Sequence, residues 1–360
     1  MIRVGLVGFG MGGRVFHAPL VSSVEGLELA AVVERSSDKA AQRYPGITTY
    51  RSLDAMLEDS SLDLCVVTTT SGTHFEIGRR ILEKGKSVVV DKPTAVTSSE
   101  VAQLIELAAT RGAHIFPFHN RRWDSDFRTV QRLLHEDALG RLVYFESVFD
   151  RWQPVHTGPA WKEDRAQGAG LLLNLCPHLA DQVLVLFGKP EAVSADVKRE
   201  RDGEGVDDAF TLWLHYPRLT VTLASNSLAA LGRPRFHLRG TKGNYWKWGL
   251  DLQEMALNKI TRIEDQAWGQ EPSANWGTLS KDVDGAMVTN LVEPIPGDYR
   301  LYYAAVRDAL LGKGPPPVIG LDAWRVARLL EWAEESSNKR CEIPCDWSQE
   351  PTSESEVESK

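Results

Sequence analysis

The sequence predicts an α/β domain built on a doubly wound parallel sheet, followed by an α+β domain with an open, mainly antiparallel sheet. Up to residue 122, apolar strand-like runs alternate with helical patterns, which is typical of a parallel sheet covered by helices on both faces. Beyond that point the strands become longer and partly alternating, with few helices between them. All 11 tryptophans lie at or after Trp123. We therefore place the domain boundary near residue 122.

The first domain, residues 1–122, contains strand-like runs that are apolar almost throughout. In chain order they read IRVGLVG, LELAAVVE, LDLCVVTTT, SVVVDKP and HIFPF. Helical patterns separate these runs at residues 11–22, 37–44, 74–84 and 97–110. A strand followed by a helix and another strand is the repeating unit of a parallel sheet.

The second domain, residues 123–345, has a different pattern of strands and helices. Its strand-like runs are GRLVYFESVFDRW, EAVSADVKRE, DDAFTLWLHY, LTVTLASNSLA and PRFHLRGTKGNYWKWG. Partial alternation predicts a sheet with one face on the core and one face open. Helical patterns return at residues 297–312 and 321–336. The tail, residues 346–360, is acidic and rich in hydroxyl groups without an apolar period, so we expect disorder there.

Composition limits the classes of function. The formal net charge of -8 argues against nucleic acid and anionic membranes as partners. No apolar run approaches the length of a membrane helix, and the opening MIRVGLVG has no charged leader, so we expect a cytoplasmic protein. The four cysteines are expected to be reduced thiols, and CEIPC lacks the spacing of a zinc site, so no metal is predicted.

The stretch VGFGMGGR carries the first functional signal. Gly8, Gly10 and Gly13 have the G-x-G-x-x-G spacing, directly between an apolar strand and a helical pattern. Such glycines permit a tight turn, close approach of the backbone to a pyrophosphate, and close packing of helix on strand. We therefore predict a dinucleotide site that also includes the intervening residues Phe9, Met11 and Gly12.

An acidic residue ends the second strand. Glu34 follows Gly13 by about 20 residues, the distance at which a carboxylate binds the adenosine ribose hydroxyls. Its charge would repel the 2'-phosphate of NADP, which favours NAD. Arg35, with two serines after it, would accommodate that phosphate if Glu34 turned away, so NADP stays an alternative.

Further polar residues stand at the carboxyl ends of strands, where an open α/β sheet binds its ligands. Lysine and proline at such a position favour a functional role over a solvated surface charge. The predicted cofactor-binding set from these strand ends and the helix that follows them is Thr68, Thr69, His74, Asp91, Lys92, Pro93 and Asn120.

The segment LLLNLCPHLADQVLVLFG predicts a mostly buried helix with one narrow polar stripe of Asn174, His178, Asp181 and Gln182. His178 is either a proton-handling group or a core histidine with satisfied nitrogens. Asn174 either contacts the substrate or caps the helix near Pro177.

Taken together, these motifs resemble those of the Gfo/Idh/MocA oxidoreductases. The resemblance rests on the glycine motif, FHAPL at 16–20, the DKP close of a strand, HNRRW at 119–123, GAGLLLNLCPHLADQ and GDYRLYYAAVRDAL. It implies an N-terminal Rossmann domain, a C-terminal open-sheet domain and an active site between them. It also implies a commonly cis peptide into Pro93 and pairing of open sheets in a homodimer or larger homo-oligomer.

The resemblance further implies roles for individual residues. Lys92 would contact the nicotinamide ribose and the substrate hydroxyl, and His178 would be the general base. Asn174 stands where the family usually has an aspartate, so Lys92 would share the proton transfer and Asp181 would replace the missing orienting group. The implied substrate-binding residues are Lys92, Arg151, Trp161, Asn174, His178 and Tyr299, with Tyr303 nearby. Arg122 either lines the cofactor cleft or forms a surface ion pair.

The predicted function is an NAD(P)-dependent oxidoreductase. It would transfer a hydride between nicotinamide and a secondary alcohol or ketone of a sugar, inositol or related polyol. Two alternatives stay open at this point: a catalytically silent dinucleotide-sensing regulatory protein, and a reductase of an unsaturated or imine substrate. Turnover distinguishes the sensor from the enzymes.

Overall fold

A computed structural model describes residues 1–155, 168–203, 205–260, 262–264 and 267–352. Its first half is a six-stranded parallel sheet in the order β3-β2-β1-β4-β5-β6. The strands are β1 Ile2–Val7, β2 Leu27–Val33, β3 Thr48–Tyr50, β4 Leu64–Val67, β5 Ser87–Val90 and β6 Ile115–Pro117. This is the strand order of a Rossmann fold, as predicted.

Helices cover both faces of this sheet, which explains why its strands are apolar throughout. They are α1 Ala18–Ser23, α2 Lys39–Arg43, α3 Leu53–Leu57, α4 His74–Glu83 and α5 Ser98–Arg111. The pattern at residues 11–22 predicts one uninterrupted helix, but a π-helical turn, Gly12–His17, precedes α1. Such turns are frequent at functional sites.

The second half is a nine-stranded sheet in the order β14-β13-β12-β11-β7-β10-β9-β8-β15. Its strands are β7 Leu142–Val148, β8 Ala192–Lys198, β9 Ala209–Tyr216, β10 Leu219–Asn226, β11 Phe236–Gly240, β12 Gly243–Lys247, β13 Gly277–Val283, β14 Ala286–Val292 and β15 Ile343–Pro344. Neighbouring strands are antiparallel except β7 and β10. The mainly antiparallel prediction is confirmed.

Helices cover one face of this second sheet. The helices of the second half are α6 Ser125–His135, α7 Leu171–Phe187, α8 Gln253–Leu257, α9 Arg300–Leu310 and α10 Gly320–Lys339. Side chains of α6, α7 and α10 share one apolar cluster with the inner face of the sheet. The helical patterns at 297–312 and 321–336 correspond to α9 and α10.

The two halves are joined by helices that contact both. α10 packs on α5 of the first half and on α7 and β8 of the second, whereas α9 packs on α1. The division at residue 122 stays a prediction, because α9 and α10 complete the packing of the first sheet. No helix among the described residues combines the length and apolar character that a membrane crossing demands.

Two expectations need correction. Helix α6 was not predicted, although Phe127, Val130 and Leu133 mark its buried face. The expected disorder does not begin at residue 346, because Trp347 stacks on Trp332 with ring centroids 4.8 Å apart and donates a hydrogen bond to the Pro190 carbonyl, 3.0 Å away.

Candidate active site

The glycine-rich loop after β1 is packed closely at two of its glycines. A Cβ atom on Gly13 would lie 2.5 Å from the Gly8 carbonyl oxygen, and one on Gly12 would lie 2.8 Å from Oδ2 of Asp91. A Cβ atom on Gly10 would meet no atom within 4 Å. Because packing does not require glycine at position 10, its missing side chain fits the close approach of a pyrophosphate.

The residues between these glycines have different environments. Phe9 is buried and packs edge-on against Tyr44, with ring centroids 6.2 Å apart. Its predicted contact with a cofactor is therefore limited to the backbone. Met11 is 63% exposed at the rim of the loop.

The acidic residue at the end of β2 is bonded within its own loop. The Glu34 carboxylate accepts hydrogen bonds from the Ser37 hydroxyl at 2.5 Å and from the Ala40 backbone N–H at 2.8 Å. Glu34 is buried, whereas Arg35 beside it is exposed. Arg51 fixes the loop by donating to the carbonyl oxygens of Glu34 and Ser37.

Two loops at the carboxyl ends of β4 and β5 are held together by His74. Its Nδ1 lies 2.8 Å from the Pro93 carbonyl oxygen, and its Nε2 lies 3.1 Å from the Thr69 carbonyl oxygen. The Thr68 hydroxyl donates to the carbonyl oxygen of Gly8 at 2.9 Å. These side chains shape the cofactor cleft by fixing its loops.

The DKP segment follows β5, and its Lys92–Pro93 peptide is cis, as expected. Oδ1 of Asp91 accepts the Lys92 backbone N–H at 2.7 Å, and Oδ2 lies 3.6 Å from Nε2 of the buried His17. Burial alone would raise the pKa of Asp91, but His17 and the charge of Lys92 hold that pKa below its usual range. Nδ1 of His17 lies 2.6 Å from the Tyr303 hydroxyl.

The Lys92 ammonium joins the two halves of the molecule. Its Nζ donates to the backbone carbonyl of Asn174 at 2.5 Å and to Oδ1 of the same residue at 3.0 Å. Lys92 is only half-buried, yet the dense surroundings lower its pKa to about 8, an effect that the Asp91 carboxylate opposes. Lysine at this position thus titrates close to neutral pH.

Asn174 does not cap its helix, so that interpretation is wrong. Helix α7 begins at Leu171 after Gly170, and the side chain of Asp207 accepts the backbone N–H of Leu172 at 2.7 Å. Asn174 therefore lies one turn inside α7, where its side chain contacts Lys92. The second alternative, a position at the substrate site, fits this geometry.

His178 lies one turn beyond Asn174 and is 6% exposed. Its Nδ1 is buried and has no hydrogen-bond partner among the described residues. Burial, with the charges of Lys92 and Arg121, lowers the pKa of His178 well below its usual range. Within the described part of the chain, Nδ1 thus lacks the partner that a core histidine with satisfied nitrogens would have.

Asp181 does not orient His178, contrary to expectation. Its two carboxylate oxygens accept hydrogen bonds from Arg122 at 2.8 and 2.6 Å, and Arg122 also contacts Asp322 of α10 at 3.0 Å. Arg122 is thus part of a largely buried ion-pair group and does not form a surface pair, whereas a place for it in the wall of the cofactor cleft stays a prediction. This group fixes α7 relative to the turn after β6.

The remaining predicted site residues are dispersed. Asn120 is buried at the start of the short 3-10 helix Asn120–Trp123, and Arg151 is exposed after β7. Tyr299 is fully buried and donates its hydroxyl to Asp124 at 2.5 Å, so the prediction that it contacts substrate is wrong. Trp161 lies outside the described residues.

Sequence reasoning missed several charged or polar groups near the site. These are His17, His119, Arg121 and Arg235. His119 is buried, and neither of its ring nitrogens has a partner among the described residues. Three of these four residues lie in the motifs FHAPL and HNRRW. Arg235 lies far from both motifs in the chain, and no spacing pattern in the sequence connects it with them.

The strand order and the glycine-rich loop define a dinucleotide-binding protein of the Rossmann class. Residues 2–119 match the model of an oxidoreductase family with an NAD-binding Rossmann fold, and residues 127–246 match a GFO/IDH/MocA C-terminal domain. The chain therefore belongs to the Gfo/Idh/MocA family of oxidoreductases.

Relatives match nearly end to end. An uncharacterized oxidoreductase, YdgJ of Escherichia coli, is 39% identical over 95% of this chain and 98% of its own. The scyllo-inositol 2-dehydrogenase (NADP(+)) IolW of Bacillus subtilis is 30% identical over 94% of each chain. The solved structure of the oxidoreductase YvaA from Bacillus subtilis superposes with a TM-score of 0.93 at 30% identity, covering 96% of this chain and 98% of that one.

Two alanine substitutions test the glycine loop. Gly10→Ala meets no protein atom, so we expect an unchanged melting temperature without cofactor but about tenfold or more weaker dinucleotide binding, because the new methyl group blocks backbone approach. Gly13→Ala collides with a backbone oxygen, so we expect a lower melting temperature even without cofactor. Thermal unfolding and calorimetric titration measure both. Tight dinucleotide binding by Gly10→Ala would contradict this assignment.

Proposed function

We propose that this protein transfers a hydride between a nicotinamide cofactor and a secondary alcohol or ketone of an inositol or related polyol. The observation that carries the proposal is the contact of Lys92 with Asn174, one helical turn before His178. It brings a titrating amine from the end of β5 to the helix that presents a neutral imidazole. The name of IolW, an inositol dehydrogenase, supports the choice of a cyclic polyol.

Such a reaction needs a hydride transfer and a proton transfer, and different groups would carry them out. The nicotinamide, when bound, supplies the hydride acceptor or donor. An ammonium group has three donors, and Asn174 takes two of those of Lys92, so one remains for the oxygen of a substrate. A neutral Lys92 would accept the hydroxyl proton during oxidation, and the ammonium form would return it during reduction.

His178 completes the proposed site from the other side of Asn174. A neutral imidazole donates from one nitrogen and accepts at the other, so it can bind the reacting oxygen without carrying charge. Its Nδ1 is buried without a hydrogen-bond partner among the described residues, which supports a place for a ligand near this ring. A polyol hydroxyl is a suitable partner.

Replacement of Lys92 tests the function. In an assay of nicotinamide absorbance across inositols, sugars and their ketones, we expect Lys92→Met to lower kcat at least about a thousandfold, because proton exchange and substrate positioning are both lost. Cofactor affinity should change much less. Lys84→Met, which removes a lysine paired with Glu58 on the surface, is the matched control. Cofactor binding by the wild type with no turnover of any substrate would favour the sensor.

For the cofactor we propose NADP. The charge of Glu34 taken alone favours NAD, but its carboxylate is occupied by Ser37 and Ala40. Arg35 is exposed beside it and provides a cation for a 2'-phosphate. The NADP(+) in the name of IolW agrees with this choice.

Charge removal at position 35 tests this preference. We expect Arg35→Gln to raise the KM for NADP about 10- to 100-fold, because a charge-assisted hydrogen bond to phosphate is lost, while the KM for NAD changes little. Arg79→Gln removes the same charge from α4, where Arg79 pairs with Glu76 and Glu83, and should alter neither KM. A wild-type protein that prefers NAD tenfold would refute the assignment.

We also propose that two copies pair through the open face of the nine-stranded sheet. Strand register aligns Trp213, Trp246 and Leu291 in one cross-strand row, and they are 39%, 45% and 59% exposed. The same row contains Thr222, Glu146, His237 and Thr278, so large exposed apolar side chains stand among polar ones there, a mixture that is typical of an interface between subunits.

We propose the cytoplasm as the compartment of this protein. All four cysteines are free thiols, which fits a reducing compartment.

Sedimentation tests the pairing. We expect the wild type to sediment as a dimer or larger assembly, and Trp246→Glu with Leu291→Glu to shift it toward the monomer, because charges would be buried in the interface. Leu311→Glu, at an exposed position after α9, should have no effect. A monomeric wild type at micromolar concentration would overturn the proposal.

A further inference from the structure

Two buried arginines surround one aromatic ring beside His178. The guanidinium carbon of Arg121 lies 5.0 Å from the ring centroid of Phe149, and that of Arg235 lies 4.2 Å from it. The ring of His178 meets Phe149 edge-on, with centroids 6.4 Å apart and planes at 71°. We call Arg121, Phe149 and Arg235 the arginine–phenylalanine stack.

Both guanidinium groups are fixed in place. Arg121 contacts Asp124 at 3.2 Å and Glu254 at 2.7 Å. Arg235 donates to Gln182 of α7 at 2.7 Å, contacts Asp126 at 3.3 Å and also packs 4.0 Å from the ring centroid of Phe236.

Guanidinium groups keep their charge at every pH at which a protein is folded. The stack therefore presents two permanent positive charges to the environment of His178.

The arginines have carboxylate partners of their own in Asp124, Glu254 and Asp126, but no carboxylate among the described residues pairs with His178 itself. Within the described residues, its side chain forms no hydrogen bond or ion pair, and Asn174 carries no charge. Asp181, on the same helix, pairs with Arg122, as does Asp322 from α10.

Helix α10 also packs against α7, and its Glu331 and Glu335 pair with Arg328 and Lys339 of the same helix. Lys92 and His119 contribute positive or neutral groups from the loops after β5 and β6. Strand β10 has no charged residue, and the His215 side chain of β9 lies on the opposite face of the sheet, where it contacts Glu342. His178 thus faces cations without an anionic partner of its own.

We infer that Arg121 and Arg235 are positioning residues that keep His178 neutral, so that His178 only hydrogen-bonds the reacting oxygen and Lys92 alone exchanges the proton. The second half of this inference rests on the proposed function. In the oxidation, the C–H bond gives its hydride to the oxidised nicotinamide, the O–H bond gives its proton to the Lys92 amine, and a C=O bond forms. His178 begins and ends the step with the same charge.

The direction of the pKa shifts agrees with this division. Burial lowers the pKa of His178 far below its usual range, and Lys92, Arg121, His119 and Arg235 add to the effect. Lys92 has a pKa of about 8, so its amine and ammonium forms are both populated near neutral pH. The rate of oxidation should therefore rise with pH through about 8, and the rate of reduction should fall over the same range.

Nuclear magnetic resonance of the folded protein tests the charge state without requiring turnover. With histidine labelled by ¹³C at the Cε1 atom, the His178 signal is the one that His178→Gln removes. We expect no titration of this signal between pH 6 and 8 in the wild type. In Arg235→Met its midpoint should rise by about one pH unit or more, because one cation is removed. Arg235→Lys retains the charge and should resemble the wild type.

If Arg235→Met does not fold, Arg121→Met removes the other cation of the stack and should move the midpoint in the same direction. A wild-type His178 midpoint near 6.5 overturns the inference whatever the variants do. A neutral His178 in a protein without turnover would instead contradict the proposed function and leave the charge assignment supported.

Discussion

The contact between the Lys92 ammonium and Asn174 is the constraint on which the site depends. Lys92 belongs to the loop after β5, and Asn174 belongs to α7 on the second sheet, so the bond fixes the relative position of the two halves. Other side chains hold the Lys92 loop and helix α7 in place. His17 and Tyr303 support the loop through Asp91, while Arg122 clamps α7 through Asp181. A shift of either layer would separate the amine from the helix.

The electrostatics of the site follow from one substitution in the family pattern. Where the resemblance implies a carboxylate, this chain has Asn174, whose amide oxygen accepts a hydrogen bond without stabilising an imidazolium. The arginines near His178 pair with Asp124, Glu254 and Asp126, none of which pairs with His178, and burial together with the nearby cations favours the neutral ring. Lys92, which is partly exposed to the cleft, is the group left with a pKa near working pH. In the proposed site, Lys92 and not His178 is therefore the group that changes its charge near neutral pH.

Sequence patterns predicted the features that short sequence motifs determine. Strand order, the glycine loop, the cis peptide at Pro93 and the mainly antiparallel second sheet all follow from motifs or their resemblance. Helix α6 could also have been found, because Phe127, Val130 and Leu133 repeat at helical spacing. The hairpin of β13 and β14 gave a weaker signal, since β14 is exposed over most of its length and shows no alternation. Partners between distant residues were not predictable. Asp181 and Arg122 are 59 residues apart and Tyr299 and Asp124 are 175 residues apart, so tertiary packing decides these pairs.

We propose that Lys92 and His178 support hydride transfer to a polyol carbon. The most direct measurement uses reduced NADP carrying deuterium at both C4 positions of the nicotinamide, incubated with the ketone of scyllo-inositol and with related ketones. Mass spectrometry of the product should show one deuterium atom on the new carbinol carbon, with none in a reaction that lacks protein. Binding of the labelled cofactor without deuterium in any product would contradict the account.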